Sequence, residues 1–185
     1  MRTFIAIDLD EAIKKELNSF IQELRKFPVD IRWAHSKGMH LTLKFLGETK
    51  EDQIPAIQEQ VEKIASFWES FNLTIRGPGW FPPKNRFPRI LWAGCQENKT
   101  LLALQNSIEI ELEKMEFCKE KRKYHPHLTL GRVRTNKNIE KIVNELNLKK
   151  DKDFGSMRVK KVTFFQSILK PTGAEYTVLS EHKLK

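Results

Sequence analysis

Two cysteines in 185 residues cannot make a disulfide framework. No apolar run approaches the roughly 20 residues that a membrane-crossing helix needs. The opening residues, Met-Arg-Thr-Phe-Ile-Ala-Ile-Asp, turn acidic too soon for a secretory signal. These absences point to a cytoplasmic protein in a reducing setting, with no membrane partner. Glycine is sparse, at eight residues, and nowhere builds the Gly-rich turn that cradles a nucleotide's phosphates. Histidine is scarcer still, at five residues. No pair of carboxylates stands beside the two histidine motifs described below, so chemistry of the paired-carboxylate kind is not encoded there.

What is present suffices for a globular fold. Apolar residues make up 39% of the chain and aromatics 10%, enough to bury a core. The length suits one domain, 1–185, or two small lobes sharing a core. Charged residues reach 31%, with a net charge of +9. A surplus of that size fits a polyanionic partner, because lysine and arginine gain by displacing counterions from phosphates.

Two of the five histidines share one local context. Residues 40–47 read His-Leu-Thr-Leu-Lys-Phe-Leu-Gly, and residues 125–132 read His-Pro-His-Leu-Thr-Leu-Gly-Arg. Each His-Leu-Thr-Leu copy alternates a polar residue with leucine, the period of a half-buried strand. Residues two apart on a strand share a face. His40 and Thr42 therefore point one way over Leu41 and Leu43, and His127 and Thr129 do the same over Leu128 and Leu130. The pattern predicts two strands side by side, aiming two imidazoles and two hydroxyls into one cleft. Imidazole titrates near 6.5, so one ring can be neutral while another is protonated. Threonine hydroxyls can donate to the non-bridging oxygens of a phosphate, where transition-state charge collects.

The remaining periodicities predict a strand at 2–8, a helix at 11–26 and a short extended piece at 31–33 before the first motif strand. A helix at 51–67 and an alternating strand at 71–75 follow. The Gly/Pro-rich stretch 77–88 reads as a loop or irregular edge, and 90–93 as a strand. A long helix at 99–116 precedes the second motif strand, and a shorter one covers 139–146. Strands at 156–168 and 175–181, turned at Pro171 and Gly173, end the chain. The order strand, helix, motif strand, helix, strand pair, then helix, motif strand, helix, strand pair looks like a duplication. It implies an α+β, bilobal fold: two pseudo-symmetric, mostly antiparallel sheets with outer helices around a central cleft.

At these residues the chain resembles the 2H phosphoesterase superfamily, and within it the RNA 2′,3′-cyclic phosphodiesterases, also called 2′-5′ RNA ligases. The likeness rests on the two His-x-Thr-x motifs and their surroundings. These are Phe45-Leu-Gly-Glu48 after the first, Pro126 before the second, Arg132 after it, Arg89-Ile-Leu-Trp92, and Ser167-Ile-Leu-Lys-Pro-Thr-Gly173 with Tyr176. It runs from about residue 2 to 184. The resemblance implies metal-independent, cofactor-free hydrolysis of RNA or nucleotide 2′,3′-cyclic phosphate ends to 2′-phosphomonoesters. By the same resemblance His40 is the proton donor to the leaving 3′-oxygen, His127 the acceptor from water, and Thr42 and Thr129 hold phosphate oxygens. Members of the family also join RNA ends in the reverse direction.

Several residues keep two readings. Strict alternation puts Arg132 opposite His127 and Thr129, although Gly131 can bend the strand and re-aim it toward substrate. Lys44 shares the face of His40 by alternation, as a cleft residue or a solvated strand end. Phe45 faces away by alternation, yet its motif position suits nucleotide contact. Trp80, Phe81, Phe87 and Arg89 either stack bases at the rim or pack between lobes. His125 and His127 share a face at a metal-like spacing, but no third ligand is apparent. His35 and His182 have no motif context. Lys119, Lys121, Arg122 and Lys123 are a phosphate-tracking patch or an exposed run. The alternative from another functional class is a non-catalytic RNA-binding module using the same cleft. No obligate protein partner is evident.

Overall fold

The computed structural model describes residues 1–35, 38–83, 87–170 and 173–185. Strand β1 (Arg2–Asp8) is buried on both faces from residue 3 to residue 7, as its unbroken apolar run requires of a central strand. Helix α1 (Glu11–Leu24) follows and buries Ile13, Leu17, Phe20, Ile21 and Leu24, the stripe their spacing predicts. The short β2 (Ile31–Trp33) precedes β3 (His40–Glu48), which carries the first motif. Helix α2 (Ile54–Phe67) takes a proline in its first turn, where an amide has no intrahelical acceptor to lose. Next come β4 (Phe71–Phe81), β5 (Ile90–Cys95), α3 (Lys99–Glu113) and β6 (His127–Val133), which carries the second motif. The chain ends with α4 (Ile139–Leu148), β7 (Asp153–Val159), β8 (Lys161–Lys170) and β9 (Gly173–Lys183).

The strands form two antiparallel sheets, ordered β3-β1-β8-β9 and β2-β6-β5-β4-β7. Helices α2 and α3 pack on the first sheet, α1 and α4 on the second. One contiguous hydrophobic cluster fills the space between these layers. The α+β, two-sheet expectation is met, and no helix among the described residues is long and apolar enough to cross a membrane.

The sheets are not the two consecutive halves of the sequence. The last hairpin, β8 and β9, returns to pair with β1, while β2 crosses to pair with β6. The motif strands thus lie in different sheets and touch at the seam between them. They are neighbours without a shared hydrogen-bond ladder. The strand expected at 156–168 divides at Lys160 into β7 and β8, one in each sheet, because alternation runs through the break and conceals it. Of the stretch expected as a loop or irregular strand edge, residues 77–81 take the second form, as the end of β4. An irregular register between Ile75 and Pro78 accommodates the proline's missing amide. Residues 84–86 of that stretch, and the expected turn at Pro171, lie outside the described residues.

Candidate active site

Pairing register determines which side chains the motif strands present, since directly opposed residues share a face. On β1, Asp8, Ala6 and Phe4 alternate onto one face and oppose His40, Thr42 and Phe45. Ile7 and Ile5, on the other face, oppose Leu41 and Lys44. Leu43 is skipped, a β-bulge. The bulge turns Lys44 to the back of the sheet and brings Phe45 round beside His40 and Thr42, the reverse of strict alternation. Gln105 of α3 donates to the carbonyl of the bulged Leu43 at 3.2 Å.

The second motif repeats the device. Gly94, Trp92 and Ile90 of β5 oppose His127, Thr129 and Arg132, Leu91 opposes Gly131, and Leu130 is skipped. Arg132 therefore shares the face of His127 and Thr129. The re-aiming expected of Gly131 happens one residue earlier. Gly131 serves close packing instead, since a Cβ there would stand 2.7 Å from Ile31 Cγ2 and 3.1 Å from Trp33 Cε3 of β2.

His40 sits in an aromatic nest. Its ring lies 4.6 Å from Phe4, 5.9 Å from Phe165 and, edge-on, 4.9 Å from Tyr176. Burial pushes its pKa down to about 4, against a hydrogen bond with the Gly38 backbone and the nearby Asp8 carboxylate. His127 Nδ1 donates to the His125 carbonyl at 2.7 Å, which leaves Nε2 as the basic nitrogen. Each ring is thus tethered to the backbone two residues upstream. Burial also holds His127 below the usual imidazole range; its hydrogen bond opposes this, while the charges of His125 and Arg132 add to it.

Tyr176 and Arg132 connect the two motifs. Arg132 acts electrostatically on His127 and on the Tyr176 hydroxyl, and Tyr176 packs against His40. Arg32 of β2 opposes Arg132 directly, so the two share a face. Burial pushes the Tyr176 hydroxyl up, and both arginines counter that. A cleft of about 1580 Å³ opens on Thr42, Phe45, Phe81, Arg89 and His127. A smaller cavity of about 510 Å³ runs past Phe87 and Arg89 to Arg132 and Arg134. His40 and Thr129, both half-buried, are not among the walls of the larger cleft.

The remaining expected residues fall as follows. Phe45 is 53% exposed, stacked on Phe4 at 5.6 Å with the Arg2 guanidinium 5.9 Å from its ring. Arg89 is exposed on the rim between the two cavities. Lys44, expected beside His40, is instead buried: its Nζ donates to Glu109 Oε2 at 2.5 Å and to the Cys118 carbonyl at 2.9 Å. Its charge is committed to Glu109, so it is unsuited to hold a phosphate. His125 precedes β6 and packs edge-on against Phe81 at 5.1 Å and against Trp92 at 5.0 Å. His182 is a buried link between Glu62 and Ser180, at 2.7 and 2.8 Å. Sequence reasoning missed Phe4, Asp8 and Arg32. Their alternation within β1 and β2 was visible, but nothing in it names the strand each would lie beside.

Comparison with known proteins identifies the family and the fold. Residues 8–168 match the model of the 2′-5′ RNA ligase superfamily. A protein of Methanothermobacter thermautotrophicus named RNA 2′,3′-cyclic phosphodiesterase is 34% identical, over 100% of this chain and 99% of its own length. One of the same name from Thermotoga maritima is 36% identical, over 98% of this chain and 94% of its own. Among solved structures, TT0787 of Thermus thermophilus superposes with a TM-score of 0.85 at 27% identity, covering 100% of this chain and 98% of that one. Escherichia coli LigT complexed with 3′-AMP has the same fold, with a TM-score of 0.78 at 24% identity and coverage of 99% and 97%.

Proposed function

The chain belongs to the 2′-5′ RNA ligase superfamily, and from that premise we propose that it is an RNA 2′,3′-cyclic phosphodiesterase. The reaction is hydrolysis of a terminal 2′,3′-cyclic phosphate to a 2′-phosphomonoester. One observation carries the reading: two motif strands from different sheets meet at a seam, and matching bulges give each the same presentation of His, Thr and one further side chain.

The roles follow from the chemistry. Water attacks phosphorus in line with the 3′-oxygen. His127 Nε2, left basic by its Nδ1 hydrogen bond, takes the proton from water. The P–O3′ bond breaks, and His40 gives its proton to the departing oxygen. Thr42 and Thr129 donate to the non-bridging oxygens, and Arg132 and Arg89 offset the phosphate charge. Phe45 offers an exposed ring to the base. The anionic substrate raises the proton affinity of both imidazoles, countering the burial that depresses them in the free protein. No step uses Lys44.

Purified protein incubated with 2′,3′-cyclic AMP and excess chelator should yield 2′-AMP. His40→Ala and His127→Ala should each lose about 10²–10⁴-fold in kcat, the range for one acid–base group. Near-wild-type turnover by either variant, or activity abolished by chelation, would overturn the assignment.

A further inference from the structure

Resting on that reading of the site, we propose that residues 118–123 form a basic arm that holds the single-stranded RNA leading up to the reacting 3′ end. The arm lies between α3 and β6 and belongs to no helix or strand. Its six residues, Cys-Lys-Glu-Lys-Arg-Lys, carry four cations and one carboxylate, and all are exposed. The carboxylate, Glu120, already faces Arg122 at 3.8 Å. Lys119, Lys121 and Lys123 have no ion-pair partner among the described residues.

The arm is nevertheless held over the site, at both ends. At its start, Lys44 Nζ donates to the Cys118 carbonyl at 2.9 Å. Just past its end, the Tyr124 hydroxyl donates to the carbonyl of Thr42 at 2.9 Å. In between, the Glu120 amide reaches Glu109, the partner of Lys44, at 3.4 Å. A segment leading into the second motif is thereby fastened to the strand of the first, and its cations wall the cleft that contains Thr42 and His127.

The occupant follows from what else lines that cleft. Phe81 at the end of β4 and Pro82, Pro83 and Phe87 of the β4–β5 connection supply apolar surface, and Phe87 is 63% exposed. Cations that track a backbone beside exposed aromatic surface are the combination that binds single strands, where bases are free to stack. Duplex RNA hides its bases and would leave Phe87 unused. The cleft's volume of about 1580 Å³ also exceeds the roughly 300–1,000 Å³ that suits a mononucleotide-sized ligand. Nucleotides 5′ to the cyclic phosphate fill the difference.

The test compares wild type with Lys119→Ser/Lys121→Ser/Arg122→Ser/Lys123→Ser and with Phe87→Ala. Substrates are 2′,3′-cyclic AMP, a single-stranded oligonucleotide of about eight residues ending in a 2′,3′-cyclic phosphate, and the same strand in a blunt duplex. Each phosphate contact on a single strand contributes about 0.7 to the slope of log K against log salt. Loss of three contacts should lower that slope by about 2, a loss of about 100-fold in oligonucleotide affinity at 0.1 M salt if the two proteins converge near 1 M. Phe87→Ala should cost about five-fold or more on the single strand. Cyclic AMP turnover, which needs none of the arm, should stay within about two-fold in the quadruple variant, and the duplex should gain nothing over cyclic AMP. Equal oligonucleotide binding and salt slope in wild type and quadruple variant would overturn the arm while leaving the phosphodiesterase reading intact. Arm-dependent, salt-dependent binding by a wild type that hydrolyses neither substrate would do the opposite.

Discussion

The placement of Lys44 makes the sharpest prediction. By sequence it belongs beside His40 and Thr42; the bulge at Leu43 puts it behind the sheet, with its side chain 1% exposed against a Glu109 that is 7% exposed. Lys44→Met removes the ammonium and leaves a buried carboxylate with only Gln105 Nε2 at 3.2 Å and the Glu120 amide at 3.4 Å. Breaking a buried pair in this way costs about 3–5 kcal/mol. For a chain of this size that is a fall in Tm of roughly 6–20 °C. Replacing both partners with apolar residues is typically near neutral, so Lys44→Met/Glu109→Met should regain most of the loss. Urea unfolding at pH 7 of wild type, both single variants and the double variant measures the cycle. The double variant should also hydrolyse 2′,3′-cyclic AMP at close to the wild-type kcat/KM. A Lys44→Met protein of wild-type stability whose turnover collapses, and whose double variant collapses equally, would mean that the lysine faces the phosphate and that β3 has no bulge at Leu43.

Three further predictions follow from the same geometry. Both imidazoles are held below their ordinary range of 6.5, His40 down to about 4, so the singly protonated pair exists in the free enzyme only on the acid side. The pH profile of kcat/KM should be bell-shaped with its maximum below about pH 6.5; a maximum above about pH 7.5 would contradict it. His40 also ties stability to pH. Below 6.5 the unfolded chain binds a proton on this ring that the folded chain refuses until about 4. The folded state therefore loses about 3 kcal/mol as pH falls through that window and keeps it above. His40→Asn should remove this part of the acid-side slope in urea melts at pH 7 and pH 4, and an unchanged slope would mean that the ring is not shielded. Finally, a Cβ at Gly79 would overlap the Trp92 indole, whose residue opposes Thr129. Gly79→Ala should cost about 1–3 kcal/mol through overpacking and slow turnover as well; a neutral effect on both would show that the indole has room to move.

How much of this was legible depended on the range of the signal. The α1 stripe, Ile13 to Leu24, was readable because burial on a helix follows local spacing. The pairs His40/Thr42 and His127/Thr129 were readable because a two-residue period survives within four residues. Beyond that distance the period failed: Lys44, Phe45 and Arg132 all lie past a bulge, and the Leu that is skipped looks like any other core leucine. The clamp from Lys44 and Tyr124 joins residues 74 and 82 positions from their partners, and no local pattern contains such a pairing. The break at Lys160 was hidden for a related reason. Two buried strands in different sheets give one continuous apolar alternation when a single residue separates them.

The bulges also explain how a doubled motif yields a site with a direction. The backbone device is the same in both strands, with the fourth residue after each histidine turned to the back and the fifth turned to the front. The back positions hold Lys44, which fastens the arm, and Gly131, which admits β2. The front positions hold Phe45 and Arg132, an aromatic on one side and a guanidinium on the other. The histidines diverge accordingly: His40 lies among Phe4, Phe165 and Tyr176, and His127 lies within the field of Arg132. A cyclic phosphodiester needs that asymmetry, because water enters on one side of phosphorus and an alcohol leaves on the other. Under the proposed roles, the ring that must donate is the one whose proton affinity burial lowers to about 4 in the free protein. Arrival of the phosphate anion is what stabilises the imidazolium, so protonation of the acid is coupled to occupancy of the cleft.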